Sequence, residues 1–135
     1  MGPRGSGIEL DPLVGLDDAR KPLRSRILAV PGFKARYLEH LRTIAQESLD
    51  WKKLAPLVEQ YRSLVDKEIE ADTRKLESYA MFTRTVSDTV EPEAKSPGRG
   101  MSLRAFAEGR SKFLLNHPEI KGTPSLKPLS DGAKE

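Results

Sequence analysis

Residues 37–79 read YLEHLRTIAQESLDWKKLAPLVEQYRSLVDKEIEADTRKLESY, and this run decides the fold. After Asp50, the apolar residues Trp51, Leu54, Leu57, Val58, Tyr61, Leu64, Val65 and Ile69 recur three or four apart. That spacing places them on one stripe of a helix with 3.6 residues per turn. Lys52, Lys53, Glu59, Arg62, Lys67 and Glu70 take the other side. The run is expected to be the centre of the domain, with the other segments packed on its stripe.

Asp50 is an N-cap candidate for this helix, because a short carboxylate there can accept orphan backbone N–H bonds. Pro56 cannot donate to the Lys52 carbonyl, which predicts a kink or short first turn, with the helix proper running from Pro56 to about Ala71. Asp72 and Thr73 interrupt it, and Ser78 can cap a further short helix to about Val86 that carries Tyr79 and Phe82.

Before the central run, Phe33, Tyr37, Leu41 and Ile44, with Leu38 and Ala45 on an adjoining row, predict a helix from about Phe33 to Leu49. His40 lies off that stripe and is expected in solvent. An earlier helix is predicted from a cap at Asp17 or Asp18, with Pro22 in its opening turn and Leu23, Ile27 and Val30 as its apolar stripe. Pro31 and Gly32 are expected to stop it. Toward the other end, Ser102 caps a helix carrying Leu103, Phe106, Ala107, Arg110, Phe113 and Leu114, and Pro118 is expected to end it beside His117. His117 at that helix C-terminus suits the macrodipole when protonated.

The fold class is therefore all-α, with about five helices. Residues 1–16 hold four glycines and two prolines and are expected to be a flexible segment. Residues 17–120 form the helical region, with an exposed loop over 87–101, and residues 121–135 a disordered tail. The eight aromatics all lie in predicted helices, where core anchoring is their default use.

Composition narrows the function classes. No cysteine is present, which excludes disulfides and thiolate metal sites and leaves the redox compartment open. Twenty-three basic and twenty acidic residues are interspersed, giving a formal charge of +3, so no specific nucleic-acid footprint is expected. No apolar run approaches the ~20 residues that cross a bilayer, and the first ten residues lack the apolar core of a signal peptide. No membrane partner is expected on that basis. Gly2 and Ser6 fit the loose myristoylation pattern, which short sequences match by chance.

Elements of catalysis are not apparent either. GPRGSG near the start is glycine-rich but lacks the spacing and preceding strand of a phosphate-binding turn. There is no GxSxG elbow, HExxH pair or EF-hand loop. Asp17 with Asp18 reads as a capping cluster, and Glu68, Glu70 and Asp72 as a solvated helix end. The candidate catalytic, cofactor-binding and metal residues are none.

Longer words carry more information: LDPLVGLDDARKPLRSRILAVP, RYLEHLRTIAQESLDWKKLAPLVEQY, ADTRKL and SLRAFAEGRSKFLLNHPEI. Together they resemble the C-terminal segment of CotH-type proteins, the spore-coat atypical kinase family. The resemblance runs from Leu10 to about Tyr79 and again from Ser102 to Ile120. It implies a kinase-like fold in which ATP and magnesium are held upstream of this segment, and in which Ser or Thr of a protein is the acceptor. Those upstream elements are absent here, so no catalytic residue carries over. The expectation is a C-terminal helical fragment of a CotH-like kinase, from a truncated or mis-started reading frame, inactive alone and partnered by its missing lobe. A stand-alone helical protein-interaction module is the alternative; an enzyme in its own right would rest on the family name only.

Overall fold

The structure is a computed structural model that describes residues 7–88 and 101–124. Among these residues every regular element is helical. In chain order they are α1 (Pro22–Ala29), α2 (Pro31–Thr43), a π turn (Ile44–Ser48), α3 (Trp51–Ala71), α4 (Tyr79–Thr85), α5 (Leu103–Asn116) and α6 (Pro118–Gly122). The all-α class read from the periodicity is thus the observed one.

The core does not lie on α3. Leu38 of α2, Ala45 of the π turn, Leu114 of α5 and Ile120 of α6 form the buried cluster, with Leu13, Tyr37, Leu41, Leu49, Phe113 and Leu115 packed around it. Trp51 is the one buried residue of α3. Full burial of a Leu or Ile contributes about 1.5–3 kcal/mol, so a four-residue centre makes a domain of small reserve. The aromatics follow suit: Trp51 is buried, Tyr37, Tyr79, Phe82 and Phe113 are half-buried, and Phe33, Tyr61 and Phe106 are exposed.

The π turn explains how α5 reaches that centre. Leu49 N–H bonds to the Ile44 carbonyl five residues back at 2.9 Å, so the helix bulges by one residue at Ala45. Ala45 is only 1% exposed, and its carbonyl accepts the Ser111 hydroxyl of α5 at 2.7 Å. A small side chain and a bonded carbonyl let the two backbones approach without an unpaired acceptor between them.

Several boundaries differ from those expected. Neither Asp17 nor Asp18 caps α1, whose N-cap is Lys21 without a side-chain bond. Asp18 instead closes a turn, accepting from the Arg20 N–H at 3.0 Å and pairing with the Arg20 guanidinium at 2.9 Å. Pro31 does not merely stop α1 but opens α2 as its first residue, two positions earlier than predicted; Pro118 likewise opens α6. Proline at the first helical position lacks an N–H that would be orphaned anyway. The helix proper expected to run from Pro56 starts five residues earlier, since α3 is one helix from Trp51 to Ala71 with Pro56 inside it. Lys52 and Pro56 are both exposed, so water can serve the freed Lys52 carbonyl.

The expected caps at Asp50, Ser78 and Ser102 are present, accepting from the N–H groups of Lys52, Met81 and Ala105 respectively.

Chain ends assigned to flexible segments carry contacts. The Arg110 guanidinium of α5 donates to the carbonyls of Ile8 (2.8 Å) and Leu10 (2.5 Å). Arg24 donates to Pro12 and Val14, and the Tyr37 hydroxyl also donates to Pro12 at 2.7 Å. At the other end, Arg42 donates to the carbonyls of Ile120 and Thr123. Leu13 of the N-terminal segment also packs against the core cluster, so charged donors to main-chain carbonyls and apolar contact together order that segment. Of the expected exposed loop, residues 89–100 lie outside the described residues, as do residues 1–6 and 125–135.

Candidate interaction surface

Helix α3 has two apolar rows, and only one is shielded. Leu54, Val58 and Ile69 are half-buried, in line with Arg62 and Asp66. On the second row Leu57 is 49%, Tyr61 64%, Leu64 70% and Val65 40% exposed. At 100° per residue these four lie within an arc of about 100°, at the mid-length of a 21-residue helix. Isolated exposed leucines need no explanation, whereas a contiguous apolar row on a polar helix does.

The helix is held at its ends. Trp51 Nε1 donates to the Asp88 carboxylate, and Arg104 of α5 donates to the Asp88 carbonyl at 2.9 Å. Toward the other end, the Tyr79 hydroxyl of α4 donates to Asp66 at 2.9 Å. That bond, with burial second, pushes the Tyr79 phenol above its ordinary range, because the neighbouring carboxylate disfavours phenolate. The chain between α3 and α4 adds Leu76, which is fully exposed.

The residues weighed for chemistry are dispersed. His40 is exposed on α2, as its position off the stripe predicts. His117 is the C-cap of α5 and the N-cap of α6; its Nε2 lies 3.5 Å from Asp11 Oδ1 and its ring meets Phe113 edge-on. Its pairing with a carboxylate of the N-terminal segment has no local sequence signal. Glu68 and Glu70 are exposed, and Asp72 closes a turn by accepting from the Arg74 N–H at 2.7 Å. Among the described residues no three His, Asp or Glu side chains gather as a metal site would require. None of the described helices is long and apolar enough to cross a membrane.

A shallow groove of about 380 Å³ lies between α2 and α6, lined by Pro31, Lys34, Leu38, Glu119 and Thr123 among others. The Lys34–Glu119 ion pair, at 2.7 Å, joins two of its lining residues. The groove offers no convergent set of nucleophile and base. The exposed α3 row is the feature that remains unexplained.

No family model matches the chain, and no curated protein or solved structure matches it.

Proposed function

We propose that this chain is a helical docking unit without chemistry of its own, and that its exposed α3 row is where a protein partner sits. The observation that carries this reading is the row Leu57, Tyr61, Leu64 and Val65, all at least 40% exposed on the longest helix. An amphipathic helix with anchors at i, i+4 and i+7 is a recurring means of protein recognition. Tyr61 at its centre can bury a large ring while keeping its hydroxyl in water.

The resemblance of the quoted words to CotH-type proteins names a particular partner. On that reading the unit is the C-terminal helical part of an atypical Ser/Thr protein kinase, and the α3 row packs against the rest of the kinase-like large lobe. ATP and magnesium would be bound there and not by these helices. Phosphoryl transfer needs cations positioned around the phosphates, so the unit alone is proposed to be inactive.

The second reading, a stand-alone interaction module, is favoured by a different observation. The described residues close a core of their own and tie both of their ends to it through Arg110, Arg24 and Arg42. The two readings separate on a blot of the source cells with an antibody raised to the Trp51–Leu76 segment. A band well above 15.0 kDa supports the kinase reading, and a band at that mass supports the module.

A further inference from the structure

A second surface, at the corner between α1 and α2, has a different chemistry. Leu23 and Ile27 lie one turn apart on α1; Val30 is the junction and Phe33 the third residue of α2. Leu23 is 73% and Phe33 53% exposed, with Ile27 and Val30 also above 40%. Backbone bonds link the corner in sequence, from Phe33 N–H to Val30 and from Val30 N–H to Ile27. These four exposed side chains lie within eleven residues of chain about the α1–α2 junction.

Charge sets this corner apart from α3. From Ala19 to Leu38 there are six basic residues, Arg20, Lys21, Arg24, Arg26, Lys34 and Arg36, and no acidic one. The chain as a whole has only three more basic than acidic residues, so half a dozen cations in twenty residues is a local concentration. Two carboxylates from outside the stretch offset part of it, Asp18 against Arg20 and Lys21, and Glu119 against Lys34. Arg24 spends its donors on main-chain carbonyls, which leaves its charge in place. Arg26 and Arg36 are exposed.

We propose that the α1–α2 corner is a peripheral contact for an anionic lipid surface, with Leu23, Ile27, Val30 and Phe33 entering the headgroup boundary and the basic residues facing lipid phosphates and carboxylates. Apolar side chains flanked by Lys and Arg suit this boundary, where long cationic side chains reach the headgroups while the apolar ones sit deeper. An interfacial contact needs no spanning helix, so the absence of one among the described residues does not bear on it. The 8-residue length of α1 also favours a broad surface over a groove-bound helix, because α1 has barely two turns to present. The corner is distinct from the α3 row, and this inference stands or falls separately from the docking reading.

The test is flotation of the full 135-residue chain with vesicles of phosphatidylcholine, with and without 30% phosphatidylserine, at ~50 mM and ~300 mM salt. The expected result is binding to the serine-lipid vesicles at low salt, little binding to the neutral ones, and loss at high salt. Arg26→Ala and Arg36→Ala should each weaken binding roughly fivefold. Leu23→Ser with Phe33→Ser should reduce it at least tenfold, since the apolar side chains supply the insertion. All four positions are exposed, and an unchanged far-ultraviolet circular dichroism spectrum verifies folding in each variant. Tyr61→Glu, on the α3 row, should leave vesicle binding intact even if it ends protein docking. No binding to the anionic vesicles overturns the proposal, as does equal binding to neutral ones. Capture by polyglutamate with no vesicle binding overturns it too, because it would assign the corner to an acidic protein.

Discussion

Ile8 occupies the space that a side chain on Gly109 would fill: its Cδ1 lies 3.0 Å and its Cγ2 3.2 Å from where a Cβ would stand. The N-terminal segment therefore rests directly on the α5 backbone. Alanine is favoured over glycine within a helix by about 1 kcal/mol, yet here it would press into Ile8. Gly109→Ala is expected to destabilise the chain by about 1 kcal/mol despite its better propensity. Combined with Ile8→Ala, the same change should cost nothing or stabilise. Urea denaturation of the two single variants and the double variant checks this as a thermodynamic cycle.

Arg42 should matter for the other end of the chain. It donates to the Ile120 and Thr123 carbonyls, and both of those residues are buried. Arg42→Met keeps much of the stem but leaves those acceptors without their charged donor, at a cost of about 2 kcal/mol. Limited proteolysis should then cut near α6 well before it cuts α3.

Substitutions on α3 should divide by row. Tyr61→Glu and Leu64→Glu fall on exposed positions, so each should change stability by no more than about 0.5 kcal/mol. Trp51→Ala removes a buried ring and its bond to Asp88, at a cost of about 3–5 kcal/mol. In a domain with so small a core, that variant should be largely unfolded. Circular dichroism melts distinguish the outcomes.

Acid should weaken the entry to α1. The side-chain bond from Arg20 first, and its backbone N–H second, hold the Asp18 carboxyl below its ordinary range. A carboxylate depressed in the folded state contributes stability above its unfolded value near 4, and loses it as pH falls through the lower folded value. Wild type should therefore lose Tm more steeply below about pH 4 than Asp18→Asn does, with the two curves converging at the acid end. Melts at stepped pH in constant ionic strength measure it.

What could be read in the sequence was local. The caps at Asp50, Ser78 and Ser102 each act within three residues of themselves, and short-range rules find such bonds. Pro31 and Pro118 were ambiguous for an equally local reason, since a proline that ends one helix can begin the next. The place of the core was not legible. Apolar spacing on α3 identifies a helix but does not say which of its rows a neighbour covers, and Leu57, Tyr61 and Leu64 remain exposed. The N-terminal segment was hidden for a different reason. Its carbonyls are held by Arg110, about a hundred residues away, and carbonyls have no signature in sequence; Ile8 and Leu13 add apolar contacts to α5 and the core that show no helical periodicity. The candidate surface was visible as an amphipathic stripe, though it was expected to be the core.

The most direct test of the docking reading is photo-crosslinking in the source cells. A benzoylphenylalanine is placed at Tyr61 or Leu64, and as a control at Lys52 or Glu70, which lie on the opposite side of α3 at 100° per residue. The account predicts one discrete protein adduct, or one internal crosslink if the unit belongs to a longer chain, from Tyr61 and Leu64 and none from Lys52 and Glu70. Equal adducts from both sides of the helix, or none from Tyr61 and Leu64, would contradict it.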